Sequence, residues 1–354
     1  MFLFFCFNLV IISVHYFYDR ERKFYFFQKD LPVYLEYDWS EEYFSDLNLE
    51  YEYVSFVSFK SKPFSSRTLN IDKNGIRISR NYNENGNVLF LGSSNIFGFG
   101  SNDQNTIPSL FAKKTKDSLT TKNLADNGFT VFQSYIALSQ QLILNNRPKY
   151  VICLNGALEK TFLESRMAHI LEEQFKTAIE LTGTKKKYDF KSYLIETARP
   201  LTSFTIWLKN KISRTDNAYS GNPEINVKEI EQTALRTVET WIKMYELCLA
   251  NNIKFYCFYP PLMSYKSSDY SNSLIQKGLD KQIFNFRLDA YTETLRLLKQ
   301  EKYSRIAKRF VNLETILDEK EGNFIDWGSH ISPKGNDIVA NAIIENIFNK
   351  RIKK

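Results

Sequence analysis

"VLFLGSSNIFGFGSND", Val88–Asp103, is the stretch that decides how this chain is read. Val88–Leu91 is apolar without a polar break, as in a strand buried on both faces of a parallel sheet. Gly92 ends the run, Ser93, Ser94 and Asn95 follow, and a glycine-rich loop comes next. The order is strand, tight turn, polar residue at the turn, helix start. Thr106 and Pro108 then supply a helix cap and a first-turn proline. In an open parallel sheet, ligands bind beyond the carboxyl ends of the strands. Ser94 therefore sits where chemistry is done in such a fold.

Working outward, Leu119–Leu124, Tyr150–Leu154, Ile253–Tyr259 and Arg309–Leu313 read as further strands, the third of these ended by Pro260-Pro261. Phe132, Tyr135, Ile136, Leu142 and Ile143 carry helical spacing. Pro333 opens a last helix with Ile338, Val339, Ala342, Ile343 and Ile347 on one face. Strands alternating with helical patterns predict an α/β fold: a doubly wound, mostly parallel sheet flanked by helices in three layers. This domain is expected over 81–354, with a helical insertion over about 157–235. Within the insertion, Ser213–Glu224 reads as a loop. An insertion after a strand's carboxyl end projects over the ligand face, as a lid or as packing. Residues 19–80 form an extension with short β pieces such as Tyr51–Phe59, and Asn74-Gly75 marks a turn between "TLNID" and "IRIS".

The 354 residues are 43% hydrophobic and 25% charged, a globular composition. The net charge of +7 comes from scattered basic residues, apart from Lys185–Lys187 and the tail Lys350–Lys354. With no zinc-finger spacing and no RNP-like aromatic motif, this reads as a solvated surface, and no nucleic-acid partner is expected. The cysteines at 6, 153, 248 and 257 form no CxxC pair. Cys153 and Cys257 lie in strand-like runs as small core residues, so neither a disulfide framework nor a metal site is expected.

Phe2–Tyr18, "FLFFCFNLVIISVHYFY", carries no charge and approaches the length of a membrane span, so residues 1–18 are expected to be an anchor; a buried first element is the alternative. Arg20, Arg22 and Lys23 favour a cytoplasmic flank by the charge rule, an orientation that reverses if a basic segment precedes the run. A membrane-anchored, extracytoplasmic domain is the expectation carried forward. Oligomeric state is not legible.

Four stretches leave strands at the ligand edge or reach it: Gly92–Asn95, Asn123–Gly128, Asn155–Glu159, and Asp326–His330 followed by "ISPKGN". Singly, a serine after a strand is usually a helix cap and Asn-x-x-x-x-Gly usually a turn. His330, however, lies close to an acid in a polar loop before a helix, which suits a general base with an orienting carboxylate.

In order and spacing together, the stretches resemble the blocks of the SGNH (GDSL-type) hydrolase superfamily. "LGSSNIFGFGSNDQNTIPSLF" looks like its nucleophile block, "NLADNGFTVFQ" its second block, and "FIDWGSHISPKGNDIVANAI" its Asp/His block. "LNIDKNGIRIS" is similar to a lead-in of members from bacterial surface-polysaccharide gene clusters. The resemblance spans about 60–160 and 250–345. It implies Ser94 as nucleophile, His330 as general base and Asp326 as its orienting acid. It also implies backbone N–H groups of Ser94 and Gly128 as the oxyanion hole. The reaction implied is acyl transfer from an oxygen ester, to water or a sugar hydroxyl, on O-acyl groups of a cell-surface glycan, without a cofactor. This sequence departs from the pattern in three places. Ser93 stands where many members have Asp. Leu158 and Glu159 stand where the third block has Asn and Asp, leaving Asn155 as the alternative oxyanion donor. Three residues, rather than two, separate Asp326 from His330. A second reading stays open: a weak or inactive relative that binds a carbohydrate or a partner protein.

Overall fold

The computed structural model describes residues 27–47, 49–54, 56–156, 227–263, 281–317, 322–326 and 330–348. The expected anchor (1–18), most of the insertion (157–226), Leu158 and Glu159 lie outside these residues. Among the described residues no helix is long and apolar enough to cross a membrane.

The central sheet consists of β5 (Val88–Gly92), β6 (Thr121–Asn123), β7 (Tyr150–Leu154), β8 (Lys254–Tyr259) and β9 (Phe310–Asn312), in the order β6-β5-β7-β8-β9. Every neighbouring pair is parallel. All five expected strands are present. Their order, second-first-third-fourth-fifth, places the topological switch point between β5 and β7, where such sheets bind ligands. β5 and β7 are buried along their whole length, which is why their sequences run apolar without alternation. Val88 and Phe90 enter one core layer while Leu89 and Leu91 enter the other.

The helices are α1 (Ser40–Asp46), α2 (Ser94–Phe97), α3 (Ile107–Lys114), α4 (Val131–Ile143), α5 (Val227–Ala250), α6 (Lys281–Leu298), α7 (Ser304–Ala307) and α8 (Pro333–Phe348). Residues of α3 and α8 share the layer of Val88 and Phe90, and residues of α4, α5 and α6 the other. Thr106 caps α3, its hydroxyl accepting the Ser109 N–H, and Pro108 sits in the first turn as expected. Helix α5 absorbs the end of the expected insertion, so Val227–Leu235 is the opening of a long sheet-covering helix.

Two local expectations need correction. The spacing of α4 is helical, but Phe132 and Ile143 are exposed and the buried stripe is Val131, Ser134, Ala137, Leu138 and Leu142. Apolar residues stand next to one another at both ends of this helix, so hydropathy alone could not choose between them. The Thr130–Gln133 capping box accompanies the observed start. Tyr51–Phe59 is not one β piece: β1 (Tyr51–Val54) and β2 (Ser58–Ser61) pair antiparallel through a tight turn with Phe56 at φ +67°. After β3 (Phe64–Ser65) and β4 (Asn70–Ile71), the Asn74-Gly75 turn is present, with Gly75 at φ +70°. The chain then bridges the open edge of β6 through Arg77 and Tyr82, which shields that edge.

Candidate active site

β5 delivers Ser94. At its end, a Cβ on Gly92 would lie 2.5 Å from the Leu154 carbonyl oxygen, so only glycine lets β5 pass this close to β7. Ser93 adopts an extended conformation and caps the short helix α2, and Ser94 is its first residue. From the neighbouring strand, Asn123 donates its side-chain N–H to the Ile96 carbonyl at 2.8 Å, tying α2 to β6.

His330 reaches the same point from 236 positions away. The backbone of 323–325 pairs with 330–332: Ile325 N–H donates to the His330 carbonyl at 3.0 Å and Ser332 N–H to the Asn323 carbonyl at 2.8 Å. This pinch brings Asp326 and His330 side by side. Asn336, in α8, donates to Ser101 Oγ at 2.9 Å and to the Asn105 carbonyl at 3.0 Å, which locks the carboxyl-terminal block onto the loop after α2.

The three side chains form one chain of contacts. His330 Nε2 lies 2.9 Å from Ser94 Oγ, and His330 Nδ1 lies 2.7 Å from Asp326 Oδ2. The His330 backbone N–H also donates to Asp326 Oδ1 at 3.3 Å. An ionised Asp326 only accepts, so the shared proton belongs to Nδ1, and the Nε2 lone pair of the neutral ring then faces the Ser94 hydroxyl. Asp326 and Ser94 are buried, while His330 retains a quarter of its side-chain surface. Phe99 lies against the imidazole, centroids 4.3 Å apart.

Phe99 belongs to a loop held from beneath by Arg77. This guanidinium is fully buried. It donates to the carbonyls of Phe97 (3.0 Å), Gly98 (2.7 Å) and Ser101 (2.5 Å), and pairs with Asp103 at 3.1 Å. Tyr34 and Tyr43 add bonds to the Gly100 and Gly98 carbonyls. Neither Arg77 nor Phe99 was singled out from sequence. The usable signal was an arginine in an otherwise apolar "GIRIS" and the aromatic inside FGFG.

Ser94 and Gly128 follow the ends of the adjacent strands β5 and β6, in register at Phe90 and Asn123. Gly128 has φ +77° in a turn closed by the Phe129 N–H on the Asp126 carbonyl at 3.2 Å. That is the third position of a type II turn, which calls for glycine. The Ser94 N–H donates to Ser93 Oγ at 2.6 Å. Asn155 does not present a free amide: its Nδ2 donates to Ser134 Oγ (3.2 Å) and the Phe129 carbonyl (3.5 Å). It braces the Gly128 turn instead, which corrects the expectation that it offers a side-chain donor. Among the described residues no cluster of His, Cys, Asp and Glu suits a metal ion. Cys153, Cys248 and Cys257 are buried and in no disulfide.

Ser94, His330 and Asp326 thus meet at the switch point of a flavodoxin-like sheet, in the order of contacts serine–histidine–aspartate. Among solved structures, the chain is similar to a GDSL-like lipase from Bacteroides thetaiotaomicron, at 16% identity over 75% of this chain and 88% of that one, with a TM-score of 0.39. It is also similar to a carbohydrate acetylesterase family member from Sinorhizobium meliloti (10% identity, 74% and 99% covered, TM-score 0.40). A third likeness is to a lipase/acylhydrolase from Enterococcus faecalis (12%, 75% and 98%, TM-score 0.37). These are likenesses of chain path alone. No family model matches the chain, and no curated protein does.

Proposed function

We propose that this protein is an SGNH-type serine ester hydrolase or O-acyltransferase. The observation that carries the proposal is the continuous Ser94–His330–Asp326 contact, 2.9 and 2.7 Å, assembled from the two ends of the domain. Ser94 Oγ attacks the ester carbonyl carbon while its proton passes to His330 Nε2. Asp326 holds the ring by Nδ1 and stabilises the imidazolium. The carbonyl electron pair moves onto oxygen, where the Gly128 and Ser94 N–H groups receive it. Collapse expels the alkoxide, which takes the proton from Nε2, and leaves an acyl-serine. Water or a sugar hydroxyl, deprotonated by the same nitrogen, then attacks the acyl-serine, and the departing Ser94 oxygen takes that proton back as the acyl group leaves.

The resemblance of "LNIDKNGIRIS" to polysaccharide-cluster members supports an O-acylated cell-surface glycan as the substrate and an extracytoplasmic, membrane-anchored setting for the domain. A second reading, glycan binding with little or no turnover, draws on a specific observation. The Ser94 N–H is already bonded to Ser93 Oγ and the Asn155 amide is spent within the fold. Both readings are tested by steady-state hydrolysis of p-nitrophenyl acetate and of an acetylated glycan. We expect turnover that Ser94→Ala and His330→Ala each abolish, with the double variant little worse than either. Equal rates in wild type and Ser94→Ala would leave the binding reading.

A further inference from the structure

We propose that Asp126 is a positioning residue of the esterase site, latching the Gly128 turn to the amino-terminal β1–β2 hairpin so that the Gly128 N–H stays aimed at the reacting carbonyl. This rests on the esterase reading above and adds to it the part of the chain that lies outside the α/β domain.

The latch is built from three bonds on one buried carboxylate. Asp126 Oδ2 accepts the Ser61 N–H at 2.7 Å, and Oδ1 accepts both the Ser61 hydroxyl at 2.8 Å and the Asn127 N–H at 2.7 Å. Asp126 thus grips the last residue of β2 and the first peptide of the turn that presents Gly128. Three further contacts run in parallel. Asn127 Nδ2 donates to Tyr51 Oη at 3.3 Å, Gln133 Nε2 donates to the Val57 carbonyl at 2.9 Å, and Phe59 meets Phe129 edge to face at 5.7 Å. From the opposite side, Asn155 holds the Phe129 carbonyl and Ser134. The turn is clamped between the hairpin and the end of β7, while the Gly128 N–H makes no bond among the described residues.

A donor without a ground-state partner, in a turn fixed on both sides, is what oxyanion stabilisation needs: it is aimed before charge appears and does not reorganise when it does. A carboxylate is the group suited to the grip, because it accepts from three donors at once and an amide does not. In Asp126→Asn, the amide nitrogen faces either the Ser61 N–H or the Asn127 N–H, and at least one backbone bond is lost.

The test is steady-state kinetics on p-nitrophenyl acetate for wild type, Asp126→Asn, Ser61→Ala and the double variant, with folding checked by circular dichroism. Because an oxyanion donor acts in the transition state, kcat is expected to fall about 10- to 100-fold in Asp126→Asn with KM within about twofold. Ser61→Ala, which keeps the backbone grip, should show a smaller drop of the same kind, and the double variant should be no worse than Asp126→Asn. A folded Asp126→Asn with wild-type kcat, or with KM raised and kcat unchanged, overturns the proposal while leaving the esterase reading standing. If Asp126→Asn does not fold, Ser61→Ala decides by the same criterion. A wild type that turns over no ester overturns the esterase reading, and with it the catalytic sense of the latch.

Discussion

Phe99 lies over the imidazole of His330, centroids 4.3 Å apart and planes inclined by 34°. The relation puts the negative face of a benzene ring beside a group that becomes a cation in the proposed reaction. Such contacts stabilise cations by about 0.5–2 kcal/mol. Phe99→Leu keeps bulk and removes the π face. It is expected to lower kcat by about 3- to 10-fold with KM unchanged, and Phe99→Tyr should retain activity. Kinetics on a small acyl ester check both.

Asp326→Asn should be more severe. The amide in place of the carboxylate favours the wrong imidazole tautomer and offers no charge to the imidazolium. A loss on the order of 10⁴ in kcat is expected with the fold intact. Because Asp326 is the acid that meets His330 Nδ1 at 2.7 Å, a variant retaining more than a tenth of wild-type activity would remove it from the relay.

Ser93→Ala tests whether the cap restrains catalysis. The Ser93 hydroxyl holds the Ser94 N–H at 2.6 Å and must release it before that N–H can serve an oxyanion. Kinetics should show a several-fold rise in kcat. Urea unfolding should show a stability loss of about 1 kcal/mol from the missing cap. An unchanged or lowered kcat would mean that the bond does not compete with the oxyanion.

Arg77→Met strands a buried Asp103 carboxylate and three carbonyls. Removing one member of a buried ion pair typically costs about 3–5 kcal/mol, which a shifted urea midpoint at constant slope would reveal. Asp103→Asn in the Arg77→Met background should recover part of the loss.

Asp126 carries a pH signature of its own. Burial pushes its carboxyl up to about 6, against the Ser61 and Asn127 bonds and the Lys60 charge, which pull it down. A raised folded value means that the native state holds its proton more tightly than the unfolded chain. Its stabilising contribution is therefore full below about pH 4 and is lost as pH rises through about 6. Urea unfolding at pH 4 and pH 7 should show Asp126→Asn gaining on wild type at the higher pH by up to a few kcal/mol. A difference independent of pH would mean that the carboxyl titrates normally.

The central sheet was legible because its physics is local. Val88–Leu91 and Tyr150–Leu154 are apolar at every position, as strands covered on both faces must be. Thr106 and Pro333 mark helix starts with chemistry that acts within one turn. The approach of His330 to Ser94 could be anticipated only by setting separate blocks side by side. What was not legible depends on partners far apart in sequence. Nothing near Ser61 announces a carboxylate 65 positions away, and nothing in "GIRIS" says that Arg77 will hold the carbonyls of another loop. The turn that folds Tyr51–Ser61 back on itself relies on Phe56 at positive φ, which no residue preference signals. The bonds of Asn155 were not legible for a related reason. Its position at the end of β7 was clear, but the direction of its amide is set by Ser134 and Phe129, on a different segment.

The 236 positions between Ser94 and His330 also bear on how the protein comes into being. A chain leaving the ribosome presents Ser94 long before His330 exists. Contacts this distant in sequence close late, since the entropy of the intervening loop must be overcome first. A nascent or partly refolded molecule should carry an unreactive Ser94, and reactivity toward a fluorophosphonate should appear only once Pro333–Phe348 has docked. In a refolding experiment, the return of labelling would then trail the return of secondary structure, making Ser94 a chemical clock for the last step of assembly.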